Sequence, residues 1–264
     1  MSVGGPGHAN RMWALGTAFA TLDRGMCVIG ERGAYRQPMP AFLIEHDRGL
    51  LLLDTGLVPR AAVDAEHVYG SAILERLSLE FAPDGTVESH LATLGFAVSD
   101  VTQVVLSHAH WDHTGGLHLF SGATFYVGRD ELRWAFRPDP PQRLFFRHPD
   151  LESVSAARWL TVEDDFDVFG DGSIQIITAP GHTPGNLALL VRLHSQTVLL
   201  TGDTVHMRSA WDGDLQMPAD YSGKLAVQSI SKLKRIARAH EARVWIGHDA
   251  DDWTRFGGAL TCHE

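Results

Sequence analysis

A short segment that begins at Ser107 places four potential metal ligands within six residues, and these are His108, His110, Asp112 and His113. On an extended segment, the spacing of His108 and His110 directs both imidazole rings to the same side. Two glycines follow, and glycine permits a sharp change in chain direction. Because imidazole and carboxylate groups are ligands that borderline divalent metals accept, the segment predicts a metal site.

Three later segments share one pattern, an apolar run followed by glycine and then by histidine or aspartate. They supply three more candidate ligands, which are His182, Asp203 and His248. Each of these residues alone would more often be a turn residue than a ligand. Together with the first segment they give five histidines and two aspartates, too many donors for one tetrahedral zinc ion. The sequence therefore predicts two divalent metals that share a bridging carboxylate and activate a common water.

These motifs, together with the segment Asp54-Thr55-Gly56, resemble those of the metallo-β-lactamase superfamily over most of the chain, from about residue 51 to residue 248. The resemblance implies an α/β fold, an αββα four-layer sandwich in which two mixed sheets pack face to face and helices cover their outer faces. It also implies how the residues divide between two Zn²⁺ ions, although other divalent metals are compatible. In this division, one ion takes His108, His110 and His182, the other takes Asp112, His113 and His248, and Asp203 bridges them.

Within the superfamily, the chain resembles the N-acyl homoserine lactonases that quench quorum sensing. The shared features are the long part before the first motif, an insertion at residues 137–160 and a short tail after His248. True β-lactamases usually lack the equivalent of His113 and often use a cysteine ligand, whereas Cys27 and Cys262 lie outside the motifs here. Glyoxalase II needs a helical domain after its last histidine, and only 16 residues follow His248.

The resemblance implies a metal-dependent hydrolase, a lactonase or other carboxylic ester hydrolase, in which a metal-bridging hydroxide attacks the carbonyl of a small-molecule lactone. Asp112 would take the proton of this water and pass it to the leaving alkoxide. The lactonases usually carry a tyrosine three residues after the bridging aspartate, and here that position is His206. Since a neutral imidazole also donates a hydrogen bond, we expect His206 to contact the substrate without binding metal.

Three aromatic residues are candidates for substrate contacts. Trp111 lies between two ligands, where its ring packs either on the substrate or in the core beneath the site. Phe145 and Phe146 follow a proline-rich stretch, and long irregular segments of this kind often form lids or binding loops. We expect both rings to line the substrate pocket, with packing under the loop as the alternative. Asp54 and Asp249 are expected to orient the metal ligands through hydrogen bonds without binding metal themselves.

The sequence leaves other reactions open. Hydrolases of this superfamily also act on other lactones, aryl esters, thioesters or phosphoesters, and nothing in the motifs separates these substrates. A mononuclear iron enzyme similar to the persulfide dioxygenases, or a binding protein without turnover, is a further alternative. Metal analysis distinguishes the mononuclear iron enzyme from a dinuclear hydrolase, since the first contains one iron ion per chain and the second contains two zinc ions.

Apolar strands must position the ligands, because each ligand group directly follows one. The expected strands are Trp13–Thr21, Ala41–His46, Leu50–Asp54, Val104–Ser107, Thr124–Gly128, Ser173–Ala179, Leu187–Val191, Val198–Thr201 and Val244–Gly247. The clearest helix is Leu225–Ala239, which places Ala226, Ile230, Leu233 and Ala237 on one face. No change in composition marks a linker. We therefore expect a single metallo-hydrolase domain over residues 1–264, with a loose tail at residues 1–11 and a lid at residues 137–160.

The net charge of −10 argues against several partners. With 22 Lys and Arg against 32 Asp and Glu, the chain lacks the excess of cations that binding to nucleic acid or to anionic membranes requires.

The apolar stretch after Arg11 is expected to form a strand rather than a signal peptide. Two distant cysteines suit a reducing compartment. The sequence therefore predicts a cytoplasmic protein, and it is compatible with a homo-oligomer.

Overall fold

The computed structural model describes residues 7–81 and 84–264, whose strands form two sheets. The strands of the first sheet are β1 (Arg11–Asp23), β2 (Ala34–His46), β3 (Gly49–Leu53), β4 (Leu77–Phe81), β5 (Val101–Val105), β6 (Thr124–Gly128) and β7 (Arg158–Val162). Their spatial order is β4-β1-β2-β3-β5-β6-β7. Pairs from β4 to β3 are antiparallel and pairs from β3 to β7 are parallel, so the sheet is mixed.

The second sheet holds the remaining strands, which are β8 (Phe166–Asp167), β9 (Ile174–Thr178), β10 (Leu187–Arg192), β11 (Thr197–Leu200) and β12 (Arg243–Trp245). Their order is β12-β11-β10-β9-β8. Strands β11 and β12 are parallel and the other pairs are antiparallel. This sheet is therefore mixed as well.

Helices occupy the connections and the outer faces. They are α1 (Ala65–Tyr69), α2 (Ser71–Leu74), α3 (Val87–Thr93), α4 (Trp111–Thr114), α5 (Glu131–Phe136), α6 (His148–Glu152), α7 (Arg208–Gly213), α8 (Gly223–Ala239) and α9 (Ala250–Arg255). Within the described residues, no helix combines the length and the apolar character that crossing a bilayer would take.

Strand β3 shows how the layers arise, because its leucines alternate between two cores as the pleat of a strand dictates. Leu51 belongs to the core between the sheets, together with Leu189 of β10. Leu52 belongs to the outer core, together with Leu91 of α3. A strand with leucine at four of its five positions is thus buried on both faces, with the second sheet on one side and helices on the other.

Helix α8 covers the outer face of the second sheet. The four apolar residues predicted to share one face are all buried in it, namely Ala226, Ile230, Leu233 and Ala237. Three of them, Ile230, Leu233 and Ala237, pack in the same cluster as Ile177 of β9 and Leu199 of β11. The helix begins after Ser222, whose side chain accepts a hydrogen bond from the backbone N–H of Leu225, a frequent N-cap arrangement. Helices on both outer faces complete the four layers, and the predicted αββα fold is confirmed.

The sequence predicts a loose tail at residues 1–11, but the structure shows residues 7–11 to be ordered by hydrogen bonds. Residues 1–6 of that tail lie outside the described residues. Gly7 donates its backbone N–H to Asp171, and Ala9 donates to Arg192 at 2.8 Å and is fully buried. Strand β1 then begins at Arg11, two residues earlier than the sequence predicts. The tail from Gly7 onward is fixed because its backbone bonds to the end of the second sheet, which composition alone does not show.

The segment at residues 137–160, which is expected from the sequence to form a lid, is only partly an irregular loop. It contains a 3₁₀-helix over Pro140–Phe145, then α6, and it ends within β7. Leu151 and Val154 are buried in the outer core, and Trp159 stacks on Phe125 of β6 with ring centroids 4.7 Å apart. The second half of the segment therefore belongs to the core, because β7 extends the first sheet there.

Candidate metal centre

The segments that follow four strands bring the predicted ligands together. His108 and His110 follow β5, His182 follows β9, Asp203 follows β11 and His248 follows β12. Asp112 and His113 lie in α4, the single helical turn that continues the first motif. All seven predicted ligands take part in overlapping sets whose potential ligand atoms lie within 4.8 Å of one another. Short loops at the strand ends thus build one buried centre from distant parts of the sequence.

Three buried nitrogen atoms indicate what the centre can hold. Nε2 of His108, His110 and His113 is in each case buried and has no hydrogen-bond partner among the described residues. Unpaired buried nitrogen atoms are costly in a folded protein, and a cation would satisfy them. Imidazole nitrogens combined with aspartate oxygens are the donor set of zinc and of similar divalent metals. The residues therefore fit the metals that the resemblance implies.

The second nitrogen of two candidate ligands is held from outside the centre. Nδ1 of His113 lies 2.8 Å from Oδ2 of Asp54, and Nδ1 of His248 lies 2.7 Å from the carbonyl oxygen of Pro38. Because these oxygens only accept, Nδ1 of each ring carries the proton and Nε2 keeps its lone pair for a metal. Such contacts fix the tautomer and the orientation of a metal-binding histidine.

Asp203 lies between the two groups of histidines. Its Oδ2 is 3.6 Å from Nε2 of His108, 3.8 Å from Nε2 of His182 and 3.4 Å from Nε2 of His113. Its Oδ1 is 3.3 Å from Nε2 of His248. One carboxylate thus reaches histidines of both predicted groups, which is the position that a bridging ligand needs.

Burial and nearby charge act in opposite directions on the two carboxylates of the centre. Burial opposes the charged form of Asp203, but the positive charge that His248 and His113 carry in their protonated forms outweighs this and holds the pKa of Asp203 well below its ordinary value. Burial likewise opposes ionisation of Asp112, and the neighbouring His113 makes the largest contribution to lowering its pKa. Both carboxylates are ionised at neutral pH, which is the form that binds cations.

His206 lies directly beside the candidate ligands. Its Nε2 is 3.2 Å from Oδ2 of Asp203, and its ring stacks on that of His248 with centroids 4.6 Å apart. Burial lowers the pKa of His206 to about 3, so the ring is neutral. His206 also forms a potential metal-binding set with Asp203 and His248. Its expected role as a substrate contact that does not bind metal stays a prediction.

A cavity of about 340 Å³ opens onto the centre. His110, Asp112, His182, Asp203 and His206 contribute to its wall. Apolar side chains form much of the remainder, among them Leu22, Met26, Met39, Leu77 and Met217. A polar centre in a mainly apolar cavity suits a small ligand that has one reactive polar group and an apolar body.

The three predicted aromatic contacts differ in position. Trp111 lines the cavity and is also 3% exposed and packed against Tyr69, so its position is compatible with either expected role. Phe145 lines the cavity as predicted. Phe146 does not lie among the lining residues. It packs with the outer core and against the ring of His110, because the 3₁₀-helix ends at Phe145 and the backbone of Phe146 is extended and forms a bridge with His110.

Two carboxylates that support the centre did not emerge from the sequence. Glu131 of α5 is fully buried and accepts hydrogen bonds from the backbone N–H of Ala109 and Gly185 and from the hydroxyl of Thr183. It therefore ties the His108–His110 segment to the loop that carries His182. Asp220 lies with Oδ1 3.2 Å from Nδ1 of His182. Each is a single acidic residue outside any motif, so no local pattern indicates it.

The two residues expected to orient ligands behave differently. Asp54 contacts His113 directly, as described above. Asp249 instead accepts hydrogen bonds from the backbone N–H of Asp252 and Arg208. It caps α9 and fixes the backbone next to His248 rather than touching a ligand ring.

Comparison with known proteins agrees with this geometry. Residues 37–248 match the family model of the metallo-beta-lactamase superfamily. The chain belongs to this superfamily. A curated relative from Rhizobium radiobacter, the N-acyl homoserine lactonase AttM, is 35% identical over 233 residues, which are 86% of this chain and 88% of that protein. The predicted superfamily and the resemblance to its N-acyl homoserine lactonases are confirmed.

Two solved structures illustrate the fold that this chain shares with other proteins. An N-acyl homoserine lactone hydrolase, with the product N-hexanoyl-L-homoserine bound at its catalytic metal centre, aligns with a TM-score of 0.85 at 20% identity over 97% of this chain and 100% of that one. AidC, described as a dizinc quorum-quenching lactonase, aligns with a TM-score of 0.69 at 16% identity over 93% of this chain and 89% of that one. At these identities the likeness shows the common fold alone.

Proposed function

We propose that this protein of the metallo-β-lactamase superfamily hydrolyses the ring ester of an N-acyl homoserine lactone or of a similar lactone, using two divalent metal ions, most simply zinc. The observation that carries the proposal is the buried centre of five histidines and two aspartates at the wall of a mainly apolar cavity. The curated relative named as an N-acyl homoserine lactonase, which matches most of the chain, supports the choice of substrate. The expectations of a cytoplasmic location and a single domain remain part of this proposal.

The metal ions, when bound, supply an activated water at neutral pH and polarise the carbonyl that it attacks. His108, His110 and His182 would hold one ion, and Asp112, His113 and His248 the other. Asp203, which lies near histidines of both groups, would bridge them. Asp54 and the carbonyl of Pro38 keep two of these rings in the tautomer that the metals need.

The chain's own side chains then move the proton and hold the substrate. Asp112 lines the cavity as an ionised carboxylate, so it can accept the proton of the attacking water. As the ring carbon–oxygen bond breaks, the same proton passes from Asp112 to the leaving alkoxide oxygen. His206 is neutral and lines the cavity, and its N–H would donate to the substrate carbonyl. Trp111 and Phe145 would pack on the apolar part of the substrate.

A hydrolysis screen with a pH indicator tests the proposal, because ring opening releases an acid. Wild-type protein loaded with zinc is assayed with N-acyl homoserine lactones, aliphatic lactones, aryl esters and thioesters. We expect lactones to be hydrolysed with the highest kcat/KM, and we expect activity to disappear on chelation and return with added metal. Higher kcat/KM on a thioester or an aryl ester would reassign the substrate. Undiminished activity after complete removal of metal would contradict the metal-dependent mechanism.

A further inference from the structure

Gln37 of β2 is a polar residue of the cavity wall that the metal chemistry does not use. Its side chain is buried, with 3% of the residue exposed, yet it lines the same cavity as Asp203 and His206. Much of the wall is otherwise apolar, as described above, and neighbouring Met39 of the same strand is typical of it. A primary amide at such a place requires a partner for each of its polar atoms.

The amide oxygen of Gln37 is already paired. Sγ of Cys27, another residue of the cavity wall, lies 3.3 Å from Oε1 of Gln37. Burial raises the pKa of the Cys27 thiol to about 12, so the thiol keeps its proton and donates. Because an S–H donor needs an oxygen acceptor, this contact fixes which end of the amide faces Cys27.

The amide nitrogen of Gln37, in contrast, has no hydrogen-bond partner among the described residues. Nε2 makes no hydrogen bond to any residue within 7–81 or 84–264, and it is not among the fully enclosed polar atoms without a partner. The nitrogen is therefore accessible from the cavity. Two N–H groups that are held in a mainly apolar wall without a protein acceptor are suited to an acceptor on the ligand.

We infer that Gln37 donates a hydrogen bond from Nε2 to the carbonyl oxygen of the side-chain amide of an N-acylated lactone. The inference rests on the proposed lactone hydrolysis and adds a determinant of its specificity. A γ-lactone with a plain alkyl chain has no such oxygen, and it would bury the N–H groups without replacing their hydrogen bonds to water. Gln37 thus favours lactones that carry an amide over lactones that do not.

The experiment compares kcat/KM on two substrates, N-hexanoyl homoserine lactone and a γ-lactone with an alkyl chain of similar length and no amide. Gln37→Leu removes the donor, and we expect the ratio of the two kcat/KM values to fall about tenfold, the size of one neutral hydrogen bond. Gln37→Glu keeps the shape of the side chain but presents only acceptor oxygens, and we expect a fall at least as large. The matched control is Met39→Leu, which changes the wall without changing a polar group and should leave the ratio near that of the wild type.

The outcomes separate this inference from the proposed function. If the wild type hydrolyses neither lactone, the proposed function fails and the role of Gln37 falls with it. If the wild type hydrolyses these lactones and the two Gln37 variants lose rate on both by the same factor, lactone hydrolysis stands and Gln37 has only a structural role. Metal content and melting temperature are measured for each variant. Should Gln37→Leu fail to fold, the ratio measured for Gln37→Glu decides.

Discussion

Oδ2 of Asp54 lies 2.8 Å from Nδ1 of His113, although 59 positions separate the two residues in the chain. The same carboxylate accepts hydrogen bonds from the backbone N–H and from the hydroxyl of Ser107. Asp54 has a φ of 63°, a left-handed conformation that aspartate and asparagine adopt more readily than most residues. The end of β3 therefore holds the histidine segment that follows the neighbouring β5, and it determines which nitrogen of His113 faces the centre.

The variant Asp54→Asn tests this relationship. Asparagine suits the left-handed backbone, but its amide cannot satisfy all the donors that the carboxylate accepts, so the orientation of His113 is loosened. We expect metal affinity to fall about 10- to 100-fold, as is usual when such a supporting group is lost. Competition with a chromogenic chelator measures it.

A matched control for that variant is Asp171→Asn. Asp171 also pairs with a histidine, with Oδ2 3.1 Å from Nε2 of His46, but this pair lies outside the predicted ligand set. We expect its metal affinity to equal that of the wild type. Equal affinities in all three proteins would mean that Asp54 does not support the centre.

Asp203→Ala is expected to weaken both metals and to remove most of the activity. The carboxylate lies within 3.6 Å of His108, His113 and His248, so its loss removes negative charge between the two predicted cations, which then repel each other with less compensation. His182→Ala removes a ligand from only one predicted group and should weaken one metal more than the other. Elemental analysis after dialysis gives the metal content per chain. Two tightly held metals in Asp203→Ala would show that Asp203 does not bridge.

The sequence could indicate the candidate ligands of this centre because they belong to a motif or follow an apolar strand. The four ligands from His108 to His113 are close in sequence, so local geometry alone brings them together. Glu131 and Gln37 could not be predicted in this way. Glu131 acts through backbone groups more than 20 and more than 50 positions away, and Gln37 reaches the cavity only because β2 pairs with β1 and passes beside it.

The αββα layers were predictable from the resemblance, and the leucine run of β3 agrees with a strand buried on both faces. The tail and the lid were not. Gly7 and Ala9 are held by backbone hydrogen bonds to residues far along the chain, and such bonds leave no trace in composition. Similarly, the prolines at the start of residues 137–160 predict an interruption of regular secondary structure. They do not indicate where the next strand, β7, begins.

Phe145→Ala and Phe146→Ala are expected to differ in their effect on KM, because Phe145 lines the cavity and Phe146 is not among the lining residues. Phe145 lines the cavity and also packs against the core cluster that contains Trp111, so its loss should raise KM for lactones with apolar chains and cause a smaller loss of stability. Phe146 packs in the outer core, so its loss should lower the free energy of unfolding by about 1–3 kcal/mol with little change in KM. Denaturant titration and steady-state kinetics on both variants check this. An increase in KM that is confined to Phe146→Ala would reverse the assignment.

His206 requires a test that separates a substrate contact from a metal ligand, since its Nε2 lies 3.2 Å from Asp203. We expect His206→Phe to keep both metals and to lose rate. Loss of a single polarising donor commonly costs about 10²–10³ in rate, and the loss here should be smaller because the metals carry most of the polarisation. His206→Tyr restores a donor and should retain activity on homoserine lactones.

Metal analysis and kinetics on the same preparations decide between the roles of His206. If His206→Phe binds one metal fewer than the wild type, the imidazole is a ligand, and the division of the centre into two groups must be revised to include it with Asp203 and His248. If His206→Phe keeps both metals and hydrolyses the best substrate at the wild-type rate throughout the neutral pH range, His206 contacts neither substrate nor metal. Reduced rate with full metal content, rescued in His206→Tyr, is the result that a hydrogen bond to the carbonyl requires, because the phenol supplies a donor that phenylalanine lacks.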